Sequence, residues 1–310
     1  MYTRLKILKH RLQKSLKILF LFPLYSYKSY KSYELLLKQN ISVENMTRAY
    51  LDNDVGVTVK KRDKKLIVSL TSYGYRVDTV FLTIQSIFSQ SIKPDKVLLY
   101  LAKDEFTEQN IPENLKRFIS RGLEIIFCKD IKSYKKLIYA LKEYPNDLIV
   151  TADDDIIYPK FWLEQLYKAY LEDPNYIHCH RVHYMTKDIR GRLNKYKKWV
   201  VESDRLEASF LVFPTGGAGA IYSLALLNEN VTNENLFMEL APTADDVWLK
   251  AMSLLNSTKC KKVNSNIMKK LHIVEGTQEN ALYYINYHQN QNDIQIKKVF
   301  DHFNLWNRLV

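Results

Sequence analysis

Cysteine is scarce: Cys128, Cys179 and Cys260 are the only three in 310 residues, widely spaced and without a CxxC pair. That excludes a disulfide-stapled scaffold, and a reducing compartment is the simpler setting. The N-terminal region lacks an apolar run of membrane length. Ile18 to Leu24 is interrupted by Pro23 and falls far short of the ~20 residues that span a bilayer. No small-residue cleavage site follows, so the run does not read as a secretory leader. No long-period repeat is visible. Beyond the N-terminus the chain also has little excess positive charge. The net charge is +12, yet residues 1–38 hold nine Lys and Arg against Glu34 alone, which places +8 of it there. The remainder makes no basic face, and nucleic-acid binding is not expected.

What that N-terminus does have is Arg4, Lys6, Lys9, Arg11, Lys14 and Lys17 interleaved with Leu5, Ile7, Leu8, Leu12, Leu16, Leu19 and Phe20 at near-helical spacing. Two readings stay open. The segment lies peripherally on an anionic membrane surface, or it is a solvated basic helix packing on its own domain. Residues 1–62 are therefore set apart as a basic extension, 63–275 as the main domain and 276–310 as a polar, Asn/Gln-rich tail around a weak final helix. The expected location is cytoplasmic, with the inner face of the plasma membrane as the alternative.

From Lys65 onward strands and helices alternate. Leu66 to Leu70 is a strand-like run, Thr71-Ser72-Tyr73-Gly74 turns the chain, and Val77, Val80, Phe81, Ile84, Ile87 and Phe88 recur at helical spacing. Val97 to Leu101 and Ile125 to Cys128 predict the second and third strands, with a helix from Pro112 to before Gly122 between them. Tyr134 to Glu143 predicts a helix, Leu148 to Thr151 a fourth strand, Phe161 to Leu171 a helix and Tyr176 to Val182 a strand. Lys187 to Lys198 is too irregular to assign. Phe210 to Phe213 predicts a strand and Thr243 to Leu255 a helix. This order predicts an α/β fold with a mostly parallel sheet, helices on both faces and ligands beyond the carboxyl ends of the strands.

Asp153-Asp154-Asp155 stands at such an end. Adjacent carboxylates repel and are costly to gather unless a cation or ligand neutralises them. Hard oxygens suit Mg²⁺ or Mn²⁺, which take one or two carboxylates plus substrate phosphates. The flanks Leu148-Ile149-Val150 and Ile156-Ile157-Tyr158-Pro159 set the acids between apolar segments rather than in a solvated turn. Arg76 and Lys136 each open a helix near a strand's carboxyl end and are candidates for a nucleotide's base, ribose or diphosphate. Asp130, after the third strand, is a candidate acceptor for base or ribose. Gly216 and Gly217 begin a glycine-rich loop without a phosphate-loop Lys, which lets the backbone pass close to a ligand. Thr243-x-x-Asp246 resembles a capping arrangement at a helix start. His178, Cys179, His180 and His183 have no paired Cys or fourth ligand nearby, which falls short of a zinc set.

Thr151-Ala152-Asp153-Asp154-Asp155 resembles the DxD motif of GT-A fold glycosyltransferases. Over residues 63 to 275, Leu70 to Arg76 is similar to the donor loop after the first strand, and Ser133 to Leu137 to the donor-side helix of bacterial polysaccharide and lipooligosaccharide transferases. Ala241-Pro242-Thr243-Ala244-Asp245-Asp246-Val247-Trp248 resembles the acidic catalytic motif of the inverting, family-2-like group. The resemblance implies a Rossmann-like domain abutting a smaller acceptor-side subregion. It implies transfer of a sugar, with inversion, from a nucleotide-sugar donor, in the first instance a UDP-sugar, to a saccharide or glycolipid acceptor in surface polysaccharide biosynthesis.

In that scheme Asp155 is the principal ligand of Mn²⁺ or Mg²⁺, Asp153 faces metal or ribose, and His272 is the candidate third ligand. Thr71, Tyr73, Arg76, Asp130, Lys136, Asp153 and Asp154 line the donor side, and Gly216 and Gly217 form the acceptor-side floor of the sugar pocket. Asp246 is the general base and Asp245 orients the acceptor or the loop. Two rivals are a sugar nucleotidyltransferase, which would want a Gly-rich basic loop where Thr71 to Gly74 stands, and a non-catalytic membrane-surface scaffold of the same fold.

Overall fold

The structure, a computed structural model, describes residues 40–277 and 290–309. The basic segment read as a membrane contact, residues 1–38, lies outside the described residues. Two compact units divide the chain, Met1–Arg48 and Ala49–Val310. Residues 40–51 are helical (α1). Among the described residues no helix is long and apolar enough to cross a membrane.

The second unit is an α/β layer structure built on a seven-stranded, mostly parallel sheet. Its chain order is β1 (Leu66–Thr71), α2 (Val80–Phe88), β2 (Lys96–Ala102), the single turn α3 (Glu113–Lys116), β3 (Leu123–Cys128), α4 (Lys135–Glu143) and β4 (Leu148–Thr151). After these come β5 (Ile156–Ile157), α5 (Trp162–Glu172), β6 (Ile177–Cys179), β7 (Val182–Tyr184), β8 (Val212–Pro214) and β9 (Ala220–Tyr222). The chain continues through α6 (Glu234–Leu240), α7 (Asp245–Leu255), β10 (Cys260–Lys262), β11 (His272–Ile273) and α8 (Gln291–His302). The spatial order across the sheet is β10-β6-β9-β4-β1-β2-β3. Only β9 runs antiparallel to its neighbours, β4 and β6.

β1 sits near the centre because Leu66 to Leu70 is buried on both faces, every residue being 0% exposed. On one face Ile67, Leu98, Tyr100 and Ile149 pack under Tyr134, Leu137, Ile138 and Leu141 of α4 and the turn before it. Trp248 and Met252 of α7 extend that core, as do Ile296, Val299 and Phe300 of α8. The final helix, weak by sequence, is thus held by apolar packing. α2 is enclosed on every side, all nine residues being buried, so its polar groups bond inside the protein. Thr83 Oγ1 donates to the Asp154 carbonyl (2.9 Å) and Ser86 Oγ accepts from the Tyr158 amide (2.9 Å). Just past its end, Gln90 donates to the Pro159 carbonyl (3.1 Å) and accepts from the Leu163 amide (3.0 Å).

Several expectations change. The helix after β1 opens with a 3₁₀ segment, Gly74–Asp78, before α2 begins. The stretch from Pro112 to Gly122 holds one α turn and a 3₁₀ turn, Ile119–Arg121, rather than a full helix. Tyr176 to Val182 is two strands in different sheets. The break falls at His180, whose amide bonds the Gly219 carbonyl (3.2 Å), and at Arg181, after which β7 pairs with β8. His180 and His178 are engaged locally, His180 with the Trp162 carbonyl (3.0 Å) and Ser265 Oγ (3.1 Å), His178 with the Asp173 carbonyl (2.8 Å). The region 187–198 is ordered by an isolated bridge, Lys187 to Leu193, and by the buried Trp199, whose ring packs at a tilt against Tyr196 with centres 4.7 Å apart.

Because β9 runs backwards, the turn that feeds it, Gly216–Ala218, passes in front of the carboxyl ends of β4 and β6. Gly219 closes this turn at φ +94°, and a Cβ there would lie 2.5 Å from the Trp162 indole nitrogen, which donates to the Ala218 carbonyl (2.7 Å). Strain and overpacking each cost about 1–3 kcal/mol. Gly219→Ala should therefore lower the melting temperature by several degrees, measured by thermal unfolding; an unchanged melt would mean that the turn yields freely.

Candidate active site

The acids at the end of β4 meet cations supplied by two other strand-to-helix turns. Arg76, in the turn after β1, places one terminal nitrogen against the carboxylates of both Asp154 (2.8 Å) and Asp155. Ser72 Oγ donates to the other Asp154 oxygen at 2.6 Å. Burial drives the Asp154 carboxyl up to about 7 against the pull of Arg76 and the Ser72 bond. Burial also opposes charge on Arg76, but Asp154 and Asp155 outweigh it and hold the guanidinium above its ordinary value. The Arg76 Nε is buried and has no hydrogen-bond partner. Tyr73 lies under the guanidinium, 5.3 Å from ring centre, and Thr71 Oγ1 donates to the Tyr100 carbonyl (2.8 Å).

Lys136, in the first turn of α4, joins the acids of β4 to those of α7. Its Nζ donates to Asp153 Oδ1 at 2.8 Å and stands 3.5 Å from Asp245 Oδ2. Burial opposes the Lys136 charge, but Asp153, Asp245 and Asp246 together hold it well above its usual value. For Asp153 burial works upward, and Lys136, Arg181 and Arg76 more than offset it, so its carboxyl lies below the usual range. Of the three consecutive acids Asp153 is the most open, its side chain 34% exposed against 6% for Asp154 and 11% for Asp155.

Asp245 and Asp246 stand in the first turn of α7. The capping reading of Thr243 is corrected. Ala244 precedes the helix without a side-chain cap, and Thr243 exchanges hydrogen bonds with Gln295 of α8 (3.0 and 2.8 Å). Asp246 Oδ1 instead accepts from the Gly216 amide at 3.0 Å. Burial first and Asp245 second raise the Asp246 carboxyl to about 7, against Lys136 and the Gly216 bond. The glycines allow this approach: a Cβ at Gly216 would meet Asp246 Oδ1 and Lys136 Nζ at 3.2 Å each, and one at Gly217 would meet Asp153 Oδ2 at 2.9 Å.

Asp130 is held apart. It sits after β3, bonded to Lys135 and to the Lys132 amide (3.0 Å), three strand spacings or roughly 14 Å from β4. His272 is carried beside the acid segment by β11, which pairs with β5 so that His272 faces Ile157 and the Val274 amide bonds the Asp155 carbonyl (2.8 Å). As arranged, no three His, Cys, Asp or Glu groups among the described residues approach closely enough to hold a metal ion. Arg76 lies between two of the acids and Lys136 between two others. The donor set still fits a hard divalent cation. Asp153 is the most open of the three carboxylates and would offer an oxygen to such a cation, with Asp155 two residues on; Mg²⁺ or Mn²⁺ commonly completes its shell with waters and substrate phosphates.

Sequence reasoning missed three contributors. Tyr158 links the site's two halves, its hydroxyl accepting from the Asp153 amide (2.9 Å) and donating to the Gly217 carbonyl (3.0 Å). Thr277 stands 3.5 Å from Asp155 Oδ2. Arg181 faces Gly217 from the end of β6, and the one signal of it was a charge inside a strand-like run. A scan against models of known protein families finds no match to the chain, and a search of curated proteins finds none.

Proposed function

We propose that this chain is an inverting, metal-dependent glycosyltransferase of GT-A architecture that moves a sugar from a nucleoside-diphosphate donor, in the first instance a UDP-sugar, to a hydroxyl of a saccharide or glycolipid. The observation that carries this reading is the convergence of Asp153 with Asp245 and Asp246 around Lys136, beyond the carboxyl ends of parallel strands, where α/β sheets bind ligands. Bacterial surface polysaccharide synthesis is the setting the sequence motifs favour. The basic segment 1–38 would suit a cytoplasmic protein resting on the inner membrane face.

The residues divide the work. Asp153 and Asp155 would hold the divalent cation, with His272 as the candidate third ligand, and when bound it supplies Lewis-acid stabilisation to the departing diphosphate. Arg76, with its orphaned Nε, and Lys136 present positive charge to the donor's phosphates. Asp130, after the far strand β3, would accept from the base or ribose of an extended nucleotide. Asp246 takes the proton of the attacking hydroxyl, oriented by the Gly216 amide, while Asp245 holds Lys136 in place. One base and one displacement invert the anomeric carbon.

Calorimetric titration of UDP, GDP and CDP with and without Mn²⁺ tests this. One nucleotide should bind only with metal, and Asp153→Ala and Asp155→Ala should each weaken it about tenfold or more. Binding of none, or binding indifferent to both substitutions, would overturn the reading. Incubation with a sugar nucleotide separates the rivals: release of nucleoside diphosphate supports transfer, release of pyrophosphate a nucleotidyltransferase, and neither a scaffold.

A further inference from the structure

Beyond its pull on the Asp153 carboxyl, the side chain of Arg181 has no role in the scheme above, and its surroundings point to one. It is half-buried at the turn between β6 and β7. Its Nε donates to Thr215 Oγ1 at 2.6 Å, which fixes the plane of the guanidinium. No carboxylate among the described residues lies within ion-pairing distance of it, so the two terminal nitrogens carry no bridge. One of them would stand 3.1 Å from a Cβ built at Gly217, and the same point lies 2.9 Å from Asp153 Oδ2. Arg181 and Asp153 thus face each other across a gap floored by a glycine, too far apart to pair.

The topology says which substrate would meet this group. β4 leads into Asp153, and the strands that carry the other nucleotide-side candidates, β1 and β3, lie to one side of it. β9 and β6, with Gly216, Gly217 and Arg181, lie to the other. Asp246, the proposed base, bonds the Gly216 amide on that second side. A fixed guanidinium with a free fork matches a carboxylate or a phosphate in two parallel hydrogen bonds.

Resting on the transferase reading, we propose that the acceptor is an anionic saccharide, carrying a carboxylate or a phosphate, and that Arg181 grips that group and sets the hydroxyl toward Asp246. The expected preference for anionic over neutral sugar is about tenfold or more, the scale of one charged hydrogen-bonded contact.

The test titrates the full chain, with UDP and Mn²⁺ present, with methyl glucuronide, a glucose phosphate and the neutral methyl glucoside. One or both anionic sugars should bind at least about tenfold more tightly than the glucoside; which of them does so identifies carboxylate or phosphate. Arg181→Gln should erase the difference and Arg181→Lys keep part of it, with thermal melts confirming that both variants fold. Equal binding of all three sugars, no binding of any, or a preference that survives in Arg181→Gln would overturn the proposal. So would a loss of UDP affinity in Arg181→Gln with sugar preference intact, which would move Arg181 to the leaving diphosphate. Metal-dependent UDP binding without anion preference removes this inference alone. Arg181-dependent sugar binding without any nucleotide binding removes the transferase reading instead.

Discussion

Asp246→Asn should lower sugar transfer by about 10²–10⁴-fold, the usual contribution of a general base, while leaving metal-dependent donor binding close to normal. The change is nearly isosteric and keeps an oxygen for the Gly216 amide, 3.0 Å away in the native protein. A second signature follows from the environment of the group. Burial and Asp245 raise the Asp246 carboxyl to about 7, so kcat/KM should fall as pH drops below neutrality and level off above it. That limb should vanish in the variant.

Stability runs the other way. A carboxyl whose folded value lies above its unfolded value, about 4, adds stability that is complete below pH 4 and is lost as pH rises through 7. Asp246→Asn should accordingly melt no lower than the native protein at pH 8. Native transfer rates in Asp246→Asn would exclude it as the base. A large drop in melting temperature at pH 8 would make its role structural.

Lys136→Met should produce the largest loss of stability among single changes at the site. Lys136 is buried and within 3.5 Å of carboxylates from β4 and α7, and Met keeps the length of the stem without the charge. Removing one partner of a buried ion pair costs about 3–5 kcal/mol, because the remaining charges have no counterion. In a domain of this size that corresponds to roughly 10 °C in melting temperature. The penalty should shrink toward pH 5. Without Lys136 the carboxyl groups of Asp153 and Asp246 titrate higher and become neutral sooner, since the ammonium now holds both down. Melting curves at pH 5 and pH 8 decide the matter, and a penalty that is small or independent of pH would mean that Lys136 is a solvated neighbour rather than the link between the two acid pairs.

The central sheet could be read in advance because its strands are apolar runs short enough to be nothing else. Leu66 to Leu70 and Leu148 to Thr151 need no partner information to be recognised as buried strands. The antiparallel β9 was not legible, since Ala220–Tyr222 has three residues and takes its direction from the turn before it. The acids were legible as a run of like charge, but their partners were not. Nothing in the spacing of Arg76 and Asp154 tells that one guanidinium serves two carboxylates. Thr83 and Ser86 in α2 and Gln90 just past its end form a polar stripe, and its purpose depends on a segment about seventy residues away. Side-chain bonds to distant backbone leave no period in a sequence, and these bonds build much of the site.

The enclosure of α2 has a further consequence. The segment from Asp154 to Pro159 is pinned from behind by hydrogen bonds to a helix that has no solvent face. The carboxyl groups it carries therefore stand in position before any ligand arrives, and on the proposed reading little reorientation of dipoles remains to be done when one binds. The work of arranging like charges close together is performed once, by folding, before any ligand is bound.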